Sequence, residues 1–186
     1  MMENKDQHER RFDGGPDRLR DPGRIALLEV PRVVSLCLEG SAVRKVLDLG
    51  TGTGVFAEAF SAFGLEVTGL DVNPELLAVA RALVPSARFQ EGPAERLGFR
   101  DRSFDLVFFG LVLHETDDAL AALKEARRVT SGRVALLEWA YRAEPKGPPL
   151  EHRLKPETIA DHAAKAGFSK VETIPLERLL LYNLTA

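Results

Sequence analysis

The chain has 186 residues, enough for one domain with a proper core. Its 45% hydrophobic and 28% charged content are ordinary for a globular protein, and a formal net charge of −3 offers no basic field to nucleic acid or anionic lipid. The single cysteine, Cys37, excludes an intrachain disulfide, argues against a thiolate metal cluster and fits a reducing cytoplasm.

Residues 1–24 hold six basic and six acidic residues with almost no apolar pattern. The opening MMENKDQHERR has no apolar core of a secretory signal. Two readings stand for this arm: a disordered tail, or a lid that orders over a ligand. Residues 25–186 are expected to form one domain. Pro31 suits the first turn of a helix that carries Val33, Val34, Cys37 and Leu38 inward and ends at Gly40. A strand is expected over 44–49. A helix over 52–63 then buries Phe56, Phe60 and Phe63 as one stripe and closes at Gly64. LEVTGL (65–70) reads as the second strand. Asn73 caps the next helix, with Pro74 in its first turn, Leu76, Leu77, Ala80 and Leu83 inward, and Pro85 as its stop.

The third strand is expected at about 87–90, the turn RDRS next, and the fourth strand at FDLVFFG (104–110). The longest apolar run, LVFFGLVL (106–113), is too short to span a bilayer. Thr116 or Asp117 starts a helix that buries Leu120, Leu123 and Ala126, and Ser131-Gly132 leads into the strand RVALLEW (133–139). Residues 140–155, rich in proline and glycine, form a loop. Pro156 opens a helix that Gly167 ends, and the runs 168–174 and 177–184 are too close in sequence to pair other than antiparallel. Alternating strands and helices imply a mainly parallel sheet with helices on both faces.

KVLDLGTGTG (45–54) is the most informative stretch. A strand that runs into glycines at a helix start cradles a nucleotide-like ligand, because backbone without Cβ can turn sharply and approach closely. The dinucleotide fingerprint fits Gly52 through Ala57, with Asp71 about twenty residues on. Against it stand an extra glycine, Gly50, and the carboxylate Asp48, which would repel a pyrophosphate and attract a cation.

These segments resemble the motifs of class I S-adenosylmethionine-dependent methyltransferases. KVLDLGTGTG is similar to the first motif and EVTGLDVNPELLAVAR to the second. FQEGPAERLGFRDRSFDLVFFGLVLHE resembles the third region, ARRVTSGRVALLEW the fifth-strand region, and HRLKPETIADHAAKAGFSKVE the tail. The resemblance covers residues 22–184 and is nearest to the small-molecule branch that includes quinone-biosynthesis methyltransferases. It implies a three-layer Rossmann-like methyltransferase fold, a mainly parallel seven-stranded sheet with the last strand antiparallel.

It also implies S-adenosyl-L-methionine as cofactor. Gly50, Thr51, Gly52 and Thr53 would follow the methionine part and Asp48 would face its cationic end. Asp71, at an exposed strand end, would accept the ribose hydroxyls beside Val72. Pro93, Ala94 and Glu95 would meet the adenine, with Phe109 and Gly110 closing the site. Where the family has Gly-Asp-Ala, this chain has Gly92-Pro93-Ala94, so either Glu91 or Glu95 substitutes for the missing acid or the adenine amine bonds to water or a backbone carbonyl.

Methyl transfer needs an acceptor held in line, and a base only when the acceptor loses a proton. His114 is the first base candidate and Glu115 the second; a loop-anchoring role for His114 is the competing reading. His152 is a weaker base candidate. Trp139 and Tyr141 are offered as an aromatic wall. His114, Glu115, Glu138 and His152 lack a close-spaced metal motif, so no metal is expected. The reading is a cytoplasmic methyltransferase for a small-molecule acceptor, monomer or homodimer, with no nucleic acid or membrane partner. A non-catalytic cofactor-binding protein and a nicotinamide-dependent oxidoreductase are the alternatives.

Overall fold

In the computed structural model of the protein, residues 15–185 are described, so the arm reading for residues 1–14 lies outside the described residues. Two short helices open the structure, α1 (Pro16–Leu19) and α2 (Pro22–Leu27), the second capped by the Asp21 carboxylate on the Arg24 amide. α3 (Val30–Leu38) follows, with Pro31 in its first turn and Val30, Val33, Val34 and Cys37 buried; Leu38 is only half-buried.

The alternating unit then runs through β1 (Lys45–Leu49), α4 (Val55–Ser61), β2 (Glu66–Asp71), α5 (Pro74–Leu83) and β3 (Arg88–Glu91). It continues with β4 (Phe104–Gly110), a 3-10 turn at Leu113–Glu115, α6 (Ala119–Val129) and β5 (Thr130–Trp139). After a 3-10 turn at Leu150–His152 come α7 (Pro156–Lys165), β6 (Lys170–Pro175) and β7 (Leu179–Thr185). The seven strands lie in the order β3-β2-β1-β4-β5-β7-β6. β7 runs antiparallel to both neighbours and the other six strands share one direction.

Period-2 alternation splits the strands between two cores. Val46 of β1 and Leu106 and Phe108 of β4 pack with Val33, Val34, Phe56 and Phe60 from α3 and α4. Leu47, Leu49, Val107 and Phe109 pack on the other face with Leu123 of α6 and Ile159 of α7. The Phe56 and Phe108 rings are tilted with centroids 4.6 Å apart.

Several expected details differ. The helix expected over 52–63 begins at Val55, because Gly52 and Gly54 hold positive φ of 53° and 81°. It ends at Ser61, so Phe63 falls beyond the buried stripe and is 60% exposed. Leu83, in the last turn of α5, is also exposed. The helix after β4 is capped by Asp118, whose side chain accepts from the Ala121 amide, rather than by Thr116 or Asp117. Ser131 and Gly132 belong to β5 itself; a Cβ on Gly132 would lie 2.3 Å from the Asp105 carbonyl oxygen, so the strand pairing shifts register there.

Candidate active site

β1 lies between β2 and β4, where the chain order reverses, and a cavity of about 560 Å³ opens at the carboxyl ends of these strands. Its floor is the loop after β1. Gly50 sits at φ 65°, and a Cβ there would lie 2.4 Å from Cγ2 of Val112, so only glycine fits between the loop and the segment after β4. Backbone bonds from Thr51 N–H to Leu70 O at 3.0 Å and from Gly54 N–H to Thr51 O at 2.8 Å pin the loop.

Asp71 ends β2 and lines the cavity. Its Oδ2 accepts the Gly52 N–H at 2.8 Å and its Oδ1 the Asn73 N–H at 2.9 Å. The residue is 9% exposed, not the exposed strand end expected from sequence, because these bonds draw the carboxylate back over the loop. Burial pushes its pKa up, against the opposing pull of the Asn73, Gly52 and Val72 amides.

Asp48 is still more enclosed, at 1% exposure, and does not line the cavity. Thr51 Oγ1–H donates to its Oδ2 at 2.6 Å. Burial pushes its pKa up to about 7, and the nearby Asp71 carboxylate adds to the rise. Asp48 therefore braces the loop from beneath. Thr51 and Thr53 are also buried and off the cavity surface, as is Phe109, whose ring belongs to the core under the sheet.

Gly92, Pro93, Ala94 and Glu95 line the cavity on the β3 side. Glu95 Oε1 accepts the Asp117 N–H at 2.8 Å and the Asp118 N–H at 3.4 Å, tying this loop to the start of α6. Glu91, at the end of β3, is not among the lining residues. Val72 is 45% exposed at the rim, and Gly110 lines the β4 side.

Of the two base candidates, Glu115 lines the cavity and His114 does not. The His114 ring is buried, with Nδ1 2.8 Å from Glu138 Oε2, and its backbone N–H reaches Glu138 Oε1 at 3.2 Å. Nε2 lies 3.8 Å from Glu115 Oε1. Burial works against the imidazolium, but Glu138 and then Glu115 outweigh it, and the His114 pKa lies above the ordinary histidine value. Trp139 is buried beneath the Arg153 guanidinium at 5.1 Å rather than forming a cavity wall, and Tyr141 lies near Lys155 outside it. His152 is likewise outside the lining. No group of three or more His, Cys, Asp or Glu among the described residues is placed to hold a metal ion.

Leu19, Arg20, Arg24 and Arg153 were not singled out in the sequence, and Glu138 was weighed only as a metal ligand. Leu19 and Arg24, from the charged N-terminal segment, line the cavity, and Arg20 anchors that segment through Nη2 to the Thr53 carbonyl at 2.8 Å and Nη1 to Glu58 at 2.8 Å. Asp21-Pro22, a cap followed by a first-turn proline, is the signal that announces this helix. Glu138 is the one charge inside the apolar run 134–139, and a charge there needs a buried partner. Arg153 donates to the carbonyls of Ala140, Arg142, Lys146 and Pro148, which shapes the loop after β5.

The strand order with one reversed strand, the glycine loop after β1 and the acid ending β2 define the Rossmann-like class of α/β domains. Residues 47–136, from β1 into β5, match the family described as the methyltransferase domain. A demethylmenaquinone methyltransferase of Chlorobaculum tepidum is 43% identical over 93 residues, 50% of this chain and 38% of that protein. A malonyl-[acyl-carrier protein] O-methyltransferase of Erwinia billingiae is 43% identical over 88 residues, 47% of this chain and 35% of that protein. The matched stretch thus spans little more than a third of these relatives' length. The crystal structure of a SAM-dependent methyltransferase from Aquifex aeolicus superposes with a TM-score of 0.82 at 22% identity, covering 94% of this chain and 98% of that one.

Proposed function

We propose that the protein transfers a methyl group from S-adenosyl-L-methionine to a small-molecule acceptor. The observation that carries this reading is one cavity that joins Gly50, Asp71, Ala94 and Glu115 at the switch point of the sheet. The residues present fit the cofactor. Glycine at 50 and 52 leaves the loop surface bare of side chains for the methionine part. Asp71 uses two acceptor positions on Gly52 and Asn73, and a carboxylate has about four, so it can still accept ribose hydroxyls. The Gly92–Ala94 backbone stands where adenine would lie, and Pro93 leaves its exocyclic amine to a backbone carbonyl or water. The cofactor, when bound, supplies a methyl group on a strongly electrophilic sulfonium.

Among the described residues four carboxylates, Asp71, Glu75, Glu95 and Glu115, line the cavity against one lining cation, Arg24. That balance favours a cationic sulfonium over a pyrophosphate and counts against a nicotinamide dinucleotide. The chain's work is then to hold the acceptor in line and to exclude water, with α1 and α2 as the cover on one side. On this reading the described part of the arm, residues 15–24, lies over the site of a single domain, 25–186. The net charge of −3 supports a small acceptor over a nucleic acid. Among the described residues no helix is long and apolar enough to cross a membrane. We infer a cytoplasmic monomer or homodimer.

Thermal denaturation with S-adenosylhomocysteine tests the reading. At a ligand concentration one hundred times the dissociation constant, stability should rise by about 2.7 kcal/mol. A shift with a nicotinamide dinucleotide and none with S-adenosylhomocysteine would refute it. Turnover across a panel of acceptors separates an enzyme from a protein that only holds the cofactor.

A further inference from the structure

Both oxygens of the buried Glu138 carboxylate are committed to one residue. Oε1 takes the His114 backbone N–H at 3.2 Å and Oε2 meets Nδ1 of the ring at 2.8 Å. These two contacts fix the ring's orientation and occupy one of its nitrogens. The other, Nε2, is 3.8 Å from Oε1 of Glu115, whose side chain is 22% exposed while that of His114 is 3%. The order outward is therefore β5 carboxylate, imidazole, second carboxylate, cavity. A ring held behind Glu115 is screened from an acceptor in the cavity. Glu115 is not.

We propose that Glu115 is the catalytic residue that receives the acceptor's proton, and that His114, clamped by Glu138, is a positioning residue that keeps the Glu115 carboxylate oriented and charged. The assignment rests on the methyltransferase reading. The acceptor's electron pair forms the new bond to the methyl carbon, releasing the sulfur–carbon pair to sulfur, and the acceptor's proton passes to Glu115 and from there to water. The acceptor class that this arrangement suits is one that sheds a proton, a hydroxyl or an activated carbon. Other charges face this line. Arg24 of α2 acts on Glu115 through space, and Arg153 opposes charge on His114. Tyr182 of β7 senses Glu138. Asp71, Glu75 and Glu95 share the cavity.

No acceptor is needed to test the assignment. Sinefungin carries an ammonium on carbon where the donor carries methyl on sulfur, and S-adenosylhomocysteine carries neither. The ratio of their affinities reads the charge beside the transferred methyl, and its change in Glu115→Gln isolates the share that Glu115 supplies. Calorimetry on the full chain should favour sinefungin by about tenfold or more. Glu115→Gln should lower that ratio several-fold. The wild-type preference should fade as falling pH protonates Glu115. In His114→Gln the fade should begin at higher pH, because the cation beside the carboxylate is gone.

Glu138→Gln keeps the ring and removes only its counter-charge, so it should move the fade the same way even if His114→Gln folds poorly. A role confined to anchoring the loop would lower the melting temperature and leave the pH of the fade unmoved. An unchanged ratio in Glu115→Gln, or an unmoved fade in Glu138→Gln, overturns the assignment while the methyltransferase reading stands. Failure of both ligands to bind the wild type overturns both.

Discussion

Asp71 holds the Gly52 and Asn73 amides with its two oxygens, so it is a structural brace as well as the proposed ribose contact. Asp71→Ala would orphan two buried donors. It should cost about 1–3 kcal/mol of stability in denaturant unfolding, in addition to weakening S-adenosylhomocysteine in calorimetry. Asp48 carries the opposite tension. Its folded-state pKa is raised from 3.8 to about 7, so folding prefers the protonated form. The stability this group contributes is complete below about pH 4 and is lost as pH rises to about 7. Asp48→Asn should therefore be more stable than the wild type above pH 7 by about 1–4 kcal/mol, an advantage that shrinks through pH 6 and 5 and vanishes near pH 4. Urea unfolding across that range measures it. Both acids were legible because each ends or interrupts an apolar strand next to a glycine loop. What spacing could not tell is which way each side chain points: Asp71 onto the cavity, Asp48 beneath the loop. His114 was singled out for its place just after β4, but its burial depends on Glu138, which lies 24 residues away on a neighbouring strand.

Elements were most legible where a strong period met a clear cap. Asn73-Pro74 and the Leu76, Leu77, Ala80 stripe gave α5, and Phe56 and Phe60 gave the body of α4. Helix ends were less so, because the glycines that start α4 belong to the ligand loop, and its last turn closes before Phe63. The loop after β5 was readable as a loop but not as an ordered one. Its shape comes from Arg153, a buried guanidinium that donates to four carbonyls. Arg153→Ala should cost about 2–4 kcal/mol and speed amide exchange through residues 140–149. S-adenosylhomocysteine affinity should hold, since this loop contributes nothing to the cavity lining. A loss of affinity without a loss of stability would contradict that placement.

The whole sheet was legible because β4 is apolar on both faces, which requires a central position, and because the last two runs were too close to pair in parallel. The part played by α1 and α2 was not, because their charges mask two short capped helices. Every residue that lines the cavity falls between Leu19 and Thr116. The contacts that hold the β4 side of it come from later in the chain: the Leu137 carbonyl accepts the Leu111 N–H at 2.9 Å, and Glu138 holds His114. During synthesis the walls thus leave the ribosome before their support. A nascent chain stopped short of β5 has every described group that lines the cavity, yet lacks the Leu137 and Glu138 contacts to Leu111 and His114. β5 in turn needs β7, its antiparallel neighbour, to cover its other edge. The shape of the cavity therefore waits on β5 and β7, which the chain reaches after every described group that lines it.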